Sequence, residues 1–349
     1  MAAKRRRRPR HSFQGRTATE VSRPAPDSNP PARSETAAVR RVDIVHVFLL
    51  LAALGLSYLL PFELLLLSYA VLGPAHYLTE ISWLHDRRYF LPHRGFALLL
   101  AFVALAAMFI ADPFWLGVVV SFCFVLCAIL ATTPTPGRGL ALLALAAGSF
   151  ALLFLLKAPF AIAWALMPSV IHVSVFTLIF MAVGAYKSKS AAQFALVATY
   201  LLAISAIVAF PPSQTTVIPQ LAKLGKDYFG DIAPALGSVF GVPHLTFDAR
   251  ITGLLSFVYT YHYLNWFIKA DVVRWAAVPK PRLAAIGAMS LAATGLYFYN
   301  YAYGFMVLLL LSLIHVLLEF PLNSISIRQL SATIGAGLMR PAIGLRASE

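Results

Sequence analysis

Two stretches of this sequence repeat one pairing of side chains that can do chemistry. "HYLTE" (76–80) and "HVLLE" (315–319) are both His-x-x-x-Glu, and "HYLN" (262–265) is a related His-x-x-Asn. On a helix, residues three or four apart lie on one face, so the two polar groups of each stretch point the same way. Imidazole and carboxylate suit divalent first-row metals, and helical bundles build carboxylate-bridged di-iron sites from similar groups.

These groups must be held by membrane helices. Of all residues, 60% are hydrophobic and 12% charged, whereas a soluble domain has roughly 25% charged residues. Apolar runs long enough to cross a bilayer recur, without the alternation of a membrane barrel. The sequence therefore predicts an all-α, polytopic transmembrane bundle of about ten helices. They are expected at about 44–61, 62–83, 95–111, 115–133, 139–157, 160–185, 192–211, 250–268, 283–301 and 304–320.

Charge predicts that both termini are cytoplasmic. The net charge is +14, and residues 1–42 hold eleven Lys and Arg against three acidic residues. This Pro/Ser/Ala-rich stretch predicts a disordered tail that contacts anionic lipid headgroups, and no nucleic acid is expected. With the N-terminus inside, the loops rich in Lys and Arg fall on the same side. We expect a transmembrane domain at 43–322 with an external loop at 212–249, a cytoplasmic tail at 323–349, and a bacterial inner (cytoplasmic) membrane as the location.

The predicted topology brings four histidines together. His76, His172, His262 and His315 fall on even-numbered predicted helices, which all cross the membrane in the same direction. Three of them precede the cytoplasmic end of their helix by about five to seven residues, or roughly 8–10 Å, and His172 lies nearer the middle of its helix. We therefore expect these four to ligate a metal, with Glu80, Glu319 and Asn265 as further ligands, as groups that orient the imidazoles, or as catalytic groups.

Other polar residues fit ordinary structural roles. His85 and His93 flank a predicted cytoplasmic loop, His244 and Asp248 form a candidate external pair, and Asp271 with Arg274 suggests a juxtamembrane ion pair. Glu63 is expected at the external interface, and Cys123 and Cys127 are expected to be small core residues. The aromatic stretches at 259–266 and 297–305 fit either ordinary packing or the lining of a cavity for a long lipophilic substrate.

The distribution of histidines over several membrane helices resembles that of the Brp/Blh family of membrane carotenoid-cleaving dioxygenases. More loosely, it resembles the membrane desaturases and hydroxylases, whose histidines hold non-haem iron. The resemblance implies that His76, His172, His262 and His315 hold the metal. The chain lacks the His-x-x-His-His box of the desaturases.

The leading hypothesis is an integral membrane metalloenzyme. It would be a non-haem iron oxygenase or desaturase, mono- or dinuclear, acting on a lipophilic carotenoid, isoprenoid or fatty-acyl substrate. Zinc or manganese are alternative metals, and haem is a further one. The competing hypotheses are a proton- or cation-coupled transporter and an acyltransferase in which His262 or His315 is the general base beside Asn265. The sequence makes no prediction of the oligomeric state.

Overall fold

The computed structural model describes residues 33–87, 89, 94–132, 136–155, 167–230, 233, 234, 237, 245–268 and 278–338. The chain divides into residues 1–40 and residues 41–349, and the site described below lies in the second unit. Eleven helices can be described in these ranges. They are α1 (Arg33–Leu59), α2 (Pro61–Asp86), α3 (Arg94–Ala107), α4 (Pro113–Thr132), α5 (Pro136–Leu155), α6 (Met167–Phe176 continued by Thr177–Ser188), α7 (Ala191–Ala209), α8 (Leu221–Phe229), α9 (Ala249–Ile268), α10 (Lys280–Tyr299) and α11 (Tyr301–Leu338).

Five of these helices are long and apolar enough to cross a membrane. The segments are Pro61–Asp86, Phe114–Ala131, Pro168–Ser188, Ala191–Ala209 and Tyr301–Gly335. The described part of the chain is all-helical, and the expectation of a helical membrane protein is confirmed. The count of about ten spans and the cytoplasmic orientation of the termini stay predictions.

Two helices form the centre of the bundle. α9 packs against α2, α6 and α7, and α11 packs against α2, α3, α4, α6 and α10. Most of α9 from Ile251 to Asn265 is buried, including the polar side chains of His262 and Asn265, and α9 is not among the five apolar segments. A polar helix that is buried on all sides needs partners inside the protein, because lipid offers none.

The tail of the last helix differs from the prediction. The sequence predicts that this helix ends near 320, before Pro321, but α11 continues to Leu338 with Pro321 inside it. Proline removes one helical hydrogen bond, yet a membrane helix tolerates it where neighbours and hydroxyl side chains satisfy the backbone. Phe320 and Pro321 are buried here. The carbonyl that Pro321 deprives of its helical partner is that of Leu317, and the Ser324 hydroxyl donates to the next turn, at the Phe320 carbonyl, at 2.9 Å.

Two helices contain wide π-helical turns, at Ser68–Leu72 in α2 and Met167–Phe176 in α6. Pro74 has no N–H to give the Ala70 carbonyl, and the Thr294 hydroxyl of α10 donates to that oxygen at 2.8 Å instead. Such turns are rare and occur frequently at functional sites. Here each one adjoins a histidine of the predicted metal site.

The predicted external loop contains α8, and Glu63 fixes the chain before it. One carboxylate oxygen of Glu63 accepts hydrogen bonds from the Thr216 hydroxyl at 2.5 Å and from the backbone N–H groups of Val217 and Ile218 at 2.7 and 2.8 Å. Glu63 therefore holds this segment against the start of α2.

Candidate metal centre

The structure brings the four predicted histidines into one buried cluster. Nε2 of His76 lies 3.1 Å from Nε2 of His262, and Nε2 of His172 lies 3.3 Å from Nε2 of His315. The ring centroids of His172 and His262 are 4.9 Å apart, and those of His76 and His315 are 5.4 Å apart. The four imidazoles thus form a closed ring of neighbours, and His172 does not stand apart at another depth as the linear spacing suggests.

Each histidine comes from a different helix. His76 lies on α2 one turn after its π segment, His172 lies inside the π segment of α6, His262 lies on α9 and His315 lies on α11. The four helices meet through contacts of α9 with α2 and α6 and of α11 with the same two helices. A cluster built from four packed helices is held rigidly, as a preorganised site requires.

Two of the four second ring nitrogens lie close to an oxygen that can orient the ring, and Nδ1 of His76 and of His315 has no hydrogen-bond partner among the described residues. Nδ1 of His262 lies 2.7 Å from the Thr177 hydroxyl, and Nδ1 of His172 lies 3.3 Å from a carboxylate oxygen of Glu319. A metal-binding histidine ordinarily gives its other ring N–H to an oxygen of this kind. These contacts leave Nε2 of both rings directed into the cluster.

Nε2 of His76 has two close neighbours that compete for it. It lies 3.1 Å from Nε2 of His262 and also 3.1 Å from a carboxylate oxygen of Glu80, one helical turn along α2. One proton on this nitrogen can serve only one of these neighbours, whereas a cation between the three atoms satisfies them all.

The distances suit a common ion. Two nitrogens bound to one ion at about 2.0–2.1 Å, with angles between octahedral and tetrahedral, stand roughly 2.8–3.4 Å apart. The two Nε2 pairs at 3.1 and 3.3 Å fall in this range. His76 belongs to two groups whose ligand atoms all lie within 4.8 Å of one another, one with His172 and His262 and one with Glu80 and His315. The donor set therefore fits one or two divalent first-row ions.

Burial makes the cluster costly unless something binds it. The exposed fraction is 1% for His76, His172 and His315, 8% for His262, 3% for Glu80 and 2% for Glu319. Two carboxylates and four imidazoles removed from water lose several kcal/mol of hydration, by an order-of-magnitude estimate. Functional sites frequently keep such buried polar groups at a cost in stability.

Aromatic side chains enclose the cluster. The Tyr77 ring stacks on His315 with centroids 4.4 Å apart, and its hydroxyl lies 2.6 Å from that of Tyr263. On another side the Trp266 ring packs edge-on to His76 at 5.6 Å, and its N–H donates to Thr79 at 3.0 Å. These contacts limit the rotation of His76 and His315 and exclude water.

A cavity of about 490 Å³ opens from the cluster. Its buried end is formed by polar side chains, and its walls are largely apolar. The polar residues at that end are His76, Glu80, Thr177, His262, Asn265 and Glu319. The volume is in the range of pockets that hold small organic molecules, about 300–1,000 Å³. The cavity gives a substrate access to the imidazoles and to the amide of Asn265.

Sequence reasoning missed several residues of the site. His46 of α1 lines the cavity and is 7% exposed, although its odd-numbered helix set it apart in the sequence. Thr177 follows His172 by five residues, and nothing in a lone threonine of an apolar run predicts that it orients His262. Tyr77 was adjacent to His76 in the sequence, and only the packing shows that it covers His315.

The other predicted polar residues lie apart from the cluster. The imidazole of His85 has 51% of its surface exposed and contacts Asp86 at 3.2 Å, and Asp86 also pairs with Arg282. Asp248 accepts from the backbone N–H groups at the start of α9, as a helix cap does. Cys123 and Cys127 are buried and free, as expected. His93, His244, Asp271 and Arg274 lie outside the described residues.

No protein-family model, curated protein or solved structure matches this chain.

Proposed function

We propose that this chain is a membrane-embedded metalloenzyme, a non-haem iron oxygenase or desaturase acting on a lipophilic substrate. The observation that supports this most strongly is the pair of Nε2 contacts, 3.1 and 3.3 Å, among four buried histidines from four helices. An N–H···N hydrogen bond satisfies one such pair at a time, whereas a shared ion satisfies all four ring nitrogens and Glu80 together.

The proposed ligands are His76, His172, His262 and His315, joined by Glu80 through its contact with His76. Iron in this position would supply the activation of dioxygen. Mononuclear and dinuclear binding both fit the donor set, and zinc or manganese are the alternative ions.

The other residues of the site would orient the imidazole rings, hold the substrate and exclude water. Glu319 and Thr177 hold the rings of His172 and His262, so that Nε2 is presented to the ion. The apolar cavity walls exclude bulk water and hold an apolar chain near the cluster. Asn265, buried and lining the cavity, would orient a polar group of the substrate.

The test is metal content. Wild type, His76→Ala and His315→Ala are purified in mild detergent and measured by elemental mass spectrometry with an absorption spectrum, before and after reconstitution with Fe²⁺, Zn²⁺ or Mn²⁺. His85→Ala is the matched control, because His85 is exposed and outside the cluster. We expect one or two equivalents of metal in wild type and control, and loss in both cluster variants. Wild type that stays metal-free after reconstitution contradicts the proposal, and a Soret band would reassign the site to haem.

A second candidate is proton-coupled transport. Two buried His–Glu contacts, His76 with Glu80 at 3.1 Å and His172 with Glu319 at 3.3 Å, are groups that can exchange protons. This function predicts proton-driven flux in vesicles that chelators leave unchanged. The metalloenzyme proposal predicts that chelators abolish activity.

A further inference from the structure

The cavity is polarised along its length. At its inner end lie the buried carboxylates of Glu80 and Glu319, and at its outer end lie the exposed side chains of Lys187 and Gln329. Between them the wall is largely apolar, with Gln193 and Ser326 as polar exceptions. The wall residues include Phe180, Met181, Val183, Leu196, Leu322 and Ile325.

Two helices give the same distance from the mouth of the cavity to the histidine cluster. Thr177 and Lys187 are ten residues apart on α6, and Glu319 and Gln329 are ten residues apart on α11. At 1.5 Å per residue, each pair spans about 15 Å. A ligand that reaches from the mouth to the cluster must be at least that long. A chain of tetrahedral bonds advances roughly 1.2 Å per bond when extended, so about twelve bonds cover the distance.

The charges determine which way such a ligand lies. The carboxylates of Glu80 and Glu319 balance the charge of one divalent ion, and an anionic head at this buried end would lose its hydration without a free cationic side chain among the described residues to pair with. Lys187 lines the mouth, and in the described part of the chain no ion pair involves it. An anionic head therefore belongs at the mouth, with the apolar chain directed inward.

We infer that the substrate is an anionic single-chain amphiphile whose carboxylate or phosphate head pairs with Lys187 and whose chain reaches the histidine cluster about twelve bonds away. This rests on the proposed function for what happens at the cluster, whereas binding itself requires only the cavity. Lys187 acts as a specificity residue at the head, and Gly184 keeps the wall open.

Gly184 offers a way to close the cavity without touching the cluster. A Cβ at this position would meet only the Gln193 side-chain oxygen, at 3.4 Å, which is an ordinary contact. Gly184→Ala is therefore tolerated, while the ring of Gly184→Phe would project into the cavity that Gly184 lines. Comparing Gly184→Ala with Gly184→Phe distinguishes the effect of filling the cavity from the effect of replacing the glycine.

The experiment uses the full chain in phosphatidylcholine nanodiscs and a fatty acid brominated near carbon 12. Trp83 and Trp266 line the cavity, so a brominated chain that enters should quench their fluorescence. Competition with twelve-carbon chains bearing carboxylate, phosphate, hydroxyl or trimethylammonium heads ranks the heads. Trp266→Phe identifies which part of the quenching comes from the site.

We expect the carboxylate or phosphate to compete about three- to tenfold better than the alcohol, and the cationic head to compete worst. Lys187→Gln should remove that preference, whereas Lys189→Gln, two residues on and outside the cavity lining, should keep it. Gly184→Phe should abolish quenching and Gly184→Ala should retain it. The carboxylate and phosphate arms distinguish a fatty acid from a phosphorylated lipophile.

Equal competition by all heads, or a preference that survives Lys187→Gln, overturns the inference, as does binding that survives Gly184→Phe. Metal content is measured on the same samples. Metal-bound protein with no head preference refutes the inference alone, and metal-free protein with the expected preference refutes the proposed metal centre alone.

Discussion

The two ends of the buried core differ in what fills them. At one end, the aromatic end, Phe62, Phe229, Phe247 and Phe305 pack ring against ring at centroid distances between 5.7 and 6.1 Å. At the other end, the histidine cluster holds titratable groups 3.1–3.3 Å apart beside a cavity. α2 and α11 contribute to both ends.

This difference separates stability from function within the same helices. Ring packing without voids stabilises the fold. Crowded buried polar groups destabilise it, and functional sites frequently hold such groups at the expense of stability. Substitutions at the aromatic end should therefore change unfolding, and substitutions at the cluster should change binding.

The largest expected effect is at the aromatic end. Phe62 is 0% exposed and meets both Phe229 and Phe247 edge-to-face. Phe62→Ala should lower the free energy of unfolding by about 3–5 kcal/mol, because it leaves a cavity among rings. Thermal unfolding measures this, with Leu67→Ala, 55% exposed on the same helix, as control. Metal bound per folded molecule should not change; its loss at unchanged stability would break the separation.

At the histidine cluster, a substitution is expected to raise the free energy of unfolding instead of lowering it. The double variant His172→Leu/Glu319→Leu replaces a buried ionisable pair with apolar side chains. In the presence of chelator, this should raise the free energy of unfolding by less than the increase of about 1–4 kcal/mol expected of an isolated pair, because Nε2 of His315 loses its contact with His172. Metal-free wild type and variant are compared by thermal unfolding. A less stable variant would show that the cluster itself supports the fold.

A single, nearly isosteric substitution at Glu319 should lower metal affinity without changing the fold. Glu319→Gln keeps an oxygen near Nδ1 of His172 but removes its charge, so metal affinity should fall about 10–100-fold. Competition with a chelator of known affinity measures this. Glu63→Gln is the matched control, because Glu63 is a carboxylate in the first turn of α2, away from the histidine cluster. An equal loss in both variants would speak against a role of Glu319 beside the ion.

The smallest effect is expected where the Glu63 carboxylate binds residues 216–218. Glu63→Gln keeps an acceptor for Thr216, Val217 and Ile218 but loses its charge, and should cost about 1 kcal/mol. Amide exchange at 216–218 should accelerate while exchange in α9 stays unchanged. Faster exchange throughout the bundle would show that this contact stabilises more than its own segment.

Much of this site could be predicted from sequence because the signals were local. The His-x-x-x-Glu spacing of 76–80 and 315–319 needs only helical periodicity, and the common direction of four helices follows from counting apolar runs. These two arguments suffice to propose the cluster that the structure shows.

Other features depend on packing and had no local signal. Thr177 orients His262 from another helix, and His46 reaches the cavity from a helix that the counting argument set aside. The predicted last helix, 304–320, ends with the apolar run, whereas α11 continues through Pro321 to Leu338, because a buried proline is tolerated where neighbours satisfy the backbone.

The π segment of α6 also constrains how many residues the chain must have before His172. A π turn holds one more residue than an α turn, so Met167–Phe176 contains residues that an ordinary helix would not need. Removing one residue between Pro168 and Ile171 would leave the helix continuous and rotate everything before it by about 100° relative to Thr177. Relatives of this chain should therefore accept point substitutions here far more readily than deletions, and alignments across the segment should show a fixed length.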